Sequence, residues 1–124
     1  MSPRAALMAG AMFAFIAVAA GAFGAHALRD SVSAERLEVF QTAVRYQFFH
    51  GIALLVLGRD LGRRPKWDWA ALLFCLGILI FSGSLYALVL LDKSWLGAIT
   101  PLGGVCFLAG WALVFLGSVR DHSS

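Results

Sequence analysis

Eight side chains of this 124-residue sequence have the types and the setting to do chemistry in apolar surroundings: His26, Arg45, Tyr46, Gln47, His50, Ser82, Ser84 and Tyr86. Each stands within or beside a long run of apolar residues, where a polar group is costly. They could gather into a polar pocket that receives a headgroup or a small polar ligand. They could equally form a closed hydrogen-bond network that ties helices together, with Arg45 paired to a loop carboxylate such as Asp30, Glu38 or Asp92. Tyr46 and Gln47 are helical neighbours of His50, at four and three residues. Two histidines raise the question of haem, but with both on membrane-crossing helices His26 and His50 differ in depth by about 15 Å, too far for axial ligands on facing helices. No cofactor is expected. Cys75 and Cys106 differ in depth by about 12 Å, so no disulfide is expected, and they do not match a metal spacing. His122 is read as a solvated tail residue.

All seven carboxylates, Asp30, Glu35, Glu38, Asp60, Asp68, Asp92 and Asp121, fall in loops or at helix ends. A proton-coupled transporter usually holds Asp or Glu inside the membrane, so that class loses ground. Neither a phosphate loop nor a Gly-x-Ser-x-Gly nucleophile elbow is present. The chain is therefore not read as an enzyme.

The elements that must carry these residues are set by composition. Hydrophobic residues make up 60% of the chain and charged residues 14%, with a mean hydropathy of +0.82. A soluble domain carries about 45–50% apolar and about 25% charged residues, and a chain this short cannot hide the excess in one core. Soluble, disordered and disulfide-scaffold classes are excluded, which leaves an all-α membrane protein of one domain, residues 1–124. Three uncharged stretches meet the requirement of about 20 apolar residues for a crossing helix. They run from Ala5 to Leu28, Trp69 to Leu91 and Ser94 to Val119. The first imitates a signal peptide, ending in Ala25-His26-Ala27, but its apolar run exceeds the usual 7–15 residues, so it is read as a span.

A fourth span is less plain. Ser33 is a good N-cap and Glu35 stands in the first turn behind it, predicting one helix from Ala34 to Gly58. Its first turns lie outside the membrane and its remainder crosses, which forces Arg45 into the outer part of the bilayer. The expected spans are thus about 5–28, 39–58, 69–91 and 98–119, in a four-transmembrane-helix bundle. Thr100-Pro101 reads as the cap and first residue of the last helix.

At about 1.5 Å rise per residue, His26 lies about 13 Å, Tyr86 about 8 Å and Arg45 about 5 Å toward the outer face. Gln47, Ser82 and Ser84 fall within about 6 Å of the middle and His50 close to it. The polar cluster therefore belongs to the outer half and to the first three helices. Arg45 can snorkel toward the height of His26, and Arg45→Leu is expected to destabilise the bundle more than Arg63→Leu.

Basic residues favour cytoplasmic termini. Arg4, Arg59, Arg63, Arg64, Lys66 and Arg120 lie on the side of the termini, against Arg29, Arg36, Arg45 and Lys93 on the other. Arg63, Arg64 and Lys66 suit anionic lipid headgroups, and Trp67 and Trp69 an interfacial belt. Membrane lipids are the expected partners, not nucleic acid, with a homo-oligomer or a membrane-complex partner also open. Small residues recur seven apart on every span: Gly10, Ala17, Gly24; Gly51, Gly58; Ala70, Gly77, Ser84; Gly103, Gly110, Gly117. Such a stripe keeps one face toward its neighbours in left-handed close packing. A short echo links Gly24-Ala-His-Ala-Leu28 with Ser84-Leu-Tyr-Ala-Leu88, as in a two-plus-two repeat.

Three stretches carry a resemblance. They are Gly21-Ala-Phe-Gly-Ala-His-Ala-Leu28, Thr42-Ala-Val-Arg-Tyr-Gln-Phe-Phe-His50, and Phe81-Ser-Gly-Ser-Leu-Tyr86 together with Ile99-Thr-Pro-Leu-Gly-Gly104 and Gly110-Trp111. In that order, over nearly the whole chain, they resemble the small four-span membrane family of unknown function whose animal member is transmembrane protein 256. The resemblance implies a multi-pass protein of the bacterial inner membrane, and supplies no substrate, cofactor or catalytic residue. It places the eight polar residues, with Thr100 and Pro101, in the family pattern. The expected role is an accessory or scaffold bundle, or one that binds lipid or a small ligand. The alternative is a small oligomeric transporter or channel that uses the cluster as a path.

Overall fold

The computed structural model describes residues 1–119, so Arg120, Asp121 and His122 lie outside the described residues. Those residues form four long helices and no strand. Helix α1 spans Pro3–Leu28, α2 Ala34–Gly58, α3 Pro65–Leu91 and α4 Thr100–Val119. Local chemistry explains the ends. Ser2 and Ser33 cap α1 and α2 by accepting the backbone N–H of Ala5 and Arg36, at 3.0 and 3.1 Å. In the loop before α3, Gly62 takes φ 91°, and its N–H donates to Asp68 Oδ1 at 2.8 Å, in the first turn of α3. Asp92 closes α3 in the left-handed region at φ 55°, where a short polar side chain is tolerated. A tight turn over Ser94–Ala98 then leads into α4.

Three helices are long and apolar enough to cross a membrane: α1, α3, and α4 with its preceding turn. Helix α2 is not among them, although it has the length. Arg45, Gln47 and His50 interrupt its apolar run, so the four-span expectation needs an argument from packing.

That packing matches the seven-residue stripe closely. A methyl group added at Gly10 would lie 2.7 Å from the carbonyl oxygen of Gly51, and one at Gly24 would lie 3.1 Å from the ring of Phe40. Near the other end of α2, Gly58 faces Leu7 and Pro3. Helix α2 therefore runs antiparallel along α1 for nearly the whole length of both. In the second hairpin, methyl groups at Gly77 and Gly110 would collide with the rings of Phe107 and Phe74, and one at Gly103 with the backbone of Phe81. Ala17 and Ala70 are fully buried. Close approach through small residues is the main source of attraction between helices in lipid.

Two of the four helices are not the continuous α-helices that the apolar runs would suggest. Both α1 and α3 contain a single wide, π-type turn, at Ala20–Gly24 and at Ile78–Ser82. Each inserts one residue and rotates the rest of its helix. At the end of the turn in α3 Ser82 faces α2, and beyond it Ser84 faces α4. Apolar periodicity is too coarse to reveal one extra residue in a span that is apolar on nearly every side.

Candidate functional site

Helix α2 supplies the centre of the site, because Ala43, Gln47 and His50 lie on its buried face. His50 is 5% exposed. Its Nδ1 lies 2.7 Å from the carbonyl oxygen of Tyr46, one turn back, and its Nε2 lies 3.0 Å from Trp111 Nε1. An indole N–H only donates and a carbonyl only accepts. The imidazole is therefore held as the neutral Nδ1–H tautomer, with its Nε2 lone pair turned to Trp111. The ring stacks on Phe107 at 3.7 Å with an 11° tilt, and Phe74 meets it edge-on at 5.2 Å.

Next to it, Gln47 joins three helices. Its Nε2 donates to the carbonyl oxygen of Phe13 in α1 at 2.8 Å, and its Oε1 accepts from the Tyr86 hydroxyl in α3 at 2.7 Å. Ser82, fully buried, donates to the carbonyl oxygen of Ala43 at 2.7 Å. Ser84 and Thr100 share a hydrogen bond between α3 and α4. No buried side-chain nitrogen or oxygen among the described residues lacks a partner, as low-dielectric surroundings demand.

Six of the eight expected residues thus lie where α2 and α3 pack on each other and on α4, and two do not join them. His26 is exposed, and its side chain makes no hydrogen bond among the described residues. The α1–α2 register explains why. Gln47 and Gly51 stand beside Phe13 and Ala14, so His26 lies roughly a dozen residues further along α1, on the order of 18 Å. Arg45 points out of the bundle with its side chain 49% exposed. It pairs with Glu38 at 3.2 Å, which lies on the same face two turns earlier, and its Nη2 also donates to Thr42 Oγ1 at 3.1 Å. The expected carboxylate partner is there, but the guanidinium anchors nothing buried, so the expected penalty for Arg45→Leu loses its basis.

The arginine that does anchor the bundle is Arg36. It donates to the carbonyl oxygen of Leu88 and to Ser94 Oγ, both at 3.0 Å, and pairs with Asp92 at 3.2 Å, tying the start of α2 to the end of α3. Its signal in the sequence is opposite charge at two helix ends on one face of the bundle, which a solvated reading of the first turns of α2 conceals. The fourth helix also contributes more than the depth of its residues suggests. Trp111 supplies the partner of His50, and Thr100 bonds Ser84 instead of capping α4. Among the basic residues, Arg63 and Lys66 are exposed. Arg64 donates to the Gly117 carbonyl oxygen at 3.1 Å and lies 4.7 Å over the Trp67 ring, clamping α3 to the end of α4.

Beside His50 a groove of about 400 Å³ opens on the outer surface between α2 and α4, walled by Tyr46, Phe81, Phe107, Leu108 and Trp111. The Tyr46 ring lies 4.5 Å from Phe81, and its hydroxyl has no partner among the described residues. No trio of His, Cys, Asp or Glu among the described residues is placed to hold a metal. The groove offers flat aromatic walls and one phenol with no partner among the described residues.

Residues 20–104 match the family model described as protein of unknown function (DUF423). A UPF0382 membrane protein of Staphylococcus aureus is 44% identical over 115 residues, covering 92% of this chain and 94% of that protein. The UPF0382 inner membrane protein YgdD of Escherichia coli is 43% identical over 122 residues, covering 97% and 93%. No solved structure matches.

Proposed function

The chain belongs to the DUF423 family of membrane proteins of unknown function and is a multi-pass protein of the inner membrane, and from that premise we propose that it is a non-enzymatic, four-span lipid-binding bundle. A fourth crossing is supported by the pairing of α2 with α1: a helix packed along nearly the whole of a crossing helix must cross with it, and α2 has the length. The polar groups on its buried face, Gln47 and His50, are answered from inside the bundle, which is how a membrane helix tolerates them. An even number of crossings puts both termini on one side, and Arg63 and Lys66 beside them favour the cytoplasm. Residues 1–119 then form one left-handed bundle. A family label shared with transmembrane protein 256 is compatible with that build.

The observation that carries the binding reading is the contrast between a fully paired interior and an aromatic groove that opens outward beside it. Phe74 and Phe107 fill the space around His50, which favours an accessory bundle over a transport path through the cluster. The groove would take a lipid-soluble molecule with a hydrogen-bond acceptor for Tyr46. Gly104 lines it, with nothing within 4 Å of an added methyl group, so Gly104→Trp brings a bulky ring to the groove from a position with room for its Cβ. Mass spectrometry of lipids that copurify in mild detergent should show one species lost from Gly104→Trp and reduced in Tyr46→Phe. Identical lipid content in all three proteins overturns the reading.

A further inference from the structure

We propose that the outer face of the α1–α2 hairpin holds one aminophospholipid, its phosphate on Arg45, its ammonium on Glu38 and an acyl chain in the groove beside them. This site is separate from the Tyr46 groove, and rests on the reading of α1 and α2 as membrane-crossing helices. The charged end comes from α2. Arg45 lies within an otherwise uncharged stretch, yet its guanidinium turns back toward the start of the helix, where it meets Thr42 at 3.1 Å and Glu38 at 3.2 Å. That carries the charge outward by about one turn, roughly 5 Å along the axis, toward the headgroups.

The pair is incomplete in a specific way. Only Nη2 of Arg45 is engaged, by Glu38 Oε1 and Thr42 Oγ1. Nη1, Nε and Glu38 Oε2 have no partner among the described residues, and the two side chains are 49% and 66% exposed. A guanidinium with three free N–H donors on two nitrogens and a carboxylate with one free oxygen, side by side, complement a phosphate followed by a primary ammonium. A choline headgroup has no N–H to donate to Glu38, and a glycerol headgroup has no cation.

The apolar end is a groove of about 340 Å³ walled by Val18, Gly21, Ala22, Phe48 and Phe49, with Arg45 among its lining residues. Gly21 and Ala22 belong to the wide turn of α1. With no side chain at Gly21, the wall there is low, and Val44 is the nearest neighbour across it.

The test uses the full chain in nanodiscs of phosphatidylethanolamine, phosphatidylglycerol and phosphatidylcholine in equal amounts, with native mass spectrometry of lipids retained after release. The expected result is one retained phosphatidylethanolamine, favoured over phosphatidylcholine by about tenfold, the scale of one charge-assisted hydrogen bond. Arg45→Gln lowers retention of both. Glu38→Gln removes the preference between them. Ala22→Trp, which fills the groove without touching the charges, lowers retention while leaving the thermal melt in place. Equal retention of the two lipids by the native protein overturns the proposal, and so does undiminished retention by Arg45→Gln. Protease access to tags on both termini in sealed vesicles checks the four-span premise separately: cleavage of both from the same side supports it, and from opposite sides overturns it.

Discussion

In the first hairpin, α1 against α2, backbone meets backbone: Gly10 and Gly51 approach so closely that neither has room for a methyl group without strain. In the second, α3 against α4, aromatic rings fill the notches left by three glycines, with Phe107 over Gly77, Phe74 over Gly110 and Trp67 over Gly117, and only Gly103 meets backbone, at Phe81. The two hairpins share a spacing of small residues and a wide turn in their first helix. They differ in what the small residues admit. At Gly10 and Gly51 the backbone contact makes a thin seam with no room for a ligand between the two helices. Rings in notches bring Phe81, Phe107 and Trp111 to the surface around His50, where the aromatic groove forms. The same difference sorts the polar residues, since the interior network faces the second hairpin and Arg45 and Glu38 lie on the outside of the first.

The comparison breaks most readily at the glycines. Gly103→Ala, which drives a methyl group into the Phe81 backbone, is expected to cost about 3 kcal/mol and Gly10→Ala about 2 kcal/mol, the range for overpacked cores, read from unfolding titrations in mixed micelles. Gly110→Ala should be partly rescued by Phe74→Leu, because its obstacle is a ring. Gly10→Ala should resist rescue by any side-chain change at position 51, because its obstacle is a carbonyl oxygen. Rescue of both, or of neither, would erase the distinction between the hairpins.

A smaller effect sharpens the link between them. Gln47→Leu strands the Tyr86 hydroxyl and should cost about 1–2 kcal/mol. A double-mutant cycle with Tyr86→Phe should give a coupling of about 0.6 kcal/mol, the average for interhelical hydrogen bonds in membranes. Zero coupling would mean that the two hairpins meet without this bond.

Among the arginines, Arg36→Gln should lower the melting midpoint in detergent, through lost bonds worth about 1 kcal/mol. Arg45→Leu and Arg63→Leu should stay within about 0.5 kcal/mol of the native protein, as exposed charges do. A larger loss from Arg45→Leu than from Arg36→Gln would restore the embedded role that the sequence suggests. Trp111→Phe should cost about 0.6 kcal/mol in stability through its lost hydrogen bond. Its bond has a sharper readout: the Trp111 indole N–H should exchange slowly with solvent in the native protein and faster in His50→Leu.

Much of this was legible in one dimension because the bilayer reduces the problem to runs and stripes. Apolar length located the spans, and small residues every seven places located the helix contacts. Gln47, His50, Ser82, Ser84 and Tyr86 could be brought to neighbouring depths by counting along each helix. The same counting puts Arg45 and His26 in the cluster, because depth says nothing about which way a side chain faces. Arg45 sits between Val44 and Tyr46 on a helix where Ala43, Gln47 and His50 share the buried face, so its outward turn is a matter of azimuth. The wide turns compound the difficulty, since each rotates everything beyond it by about a residue's worth of angle.

The sequence by itself determined that the chain is a helical membrane protein, where its apolar segments lie and which small residues pack them, since these depend on composition and local periodicity. Only the tertiary structure decided which polar groups are partners. Hydrogen bonds require a match in rotation and distance between helices far apart in sequence, as between Gln47, Phe13 and Tyr86 or between His50 and Trp111. That match is set when the helices pack and not before.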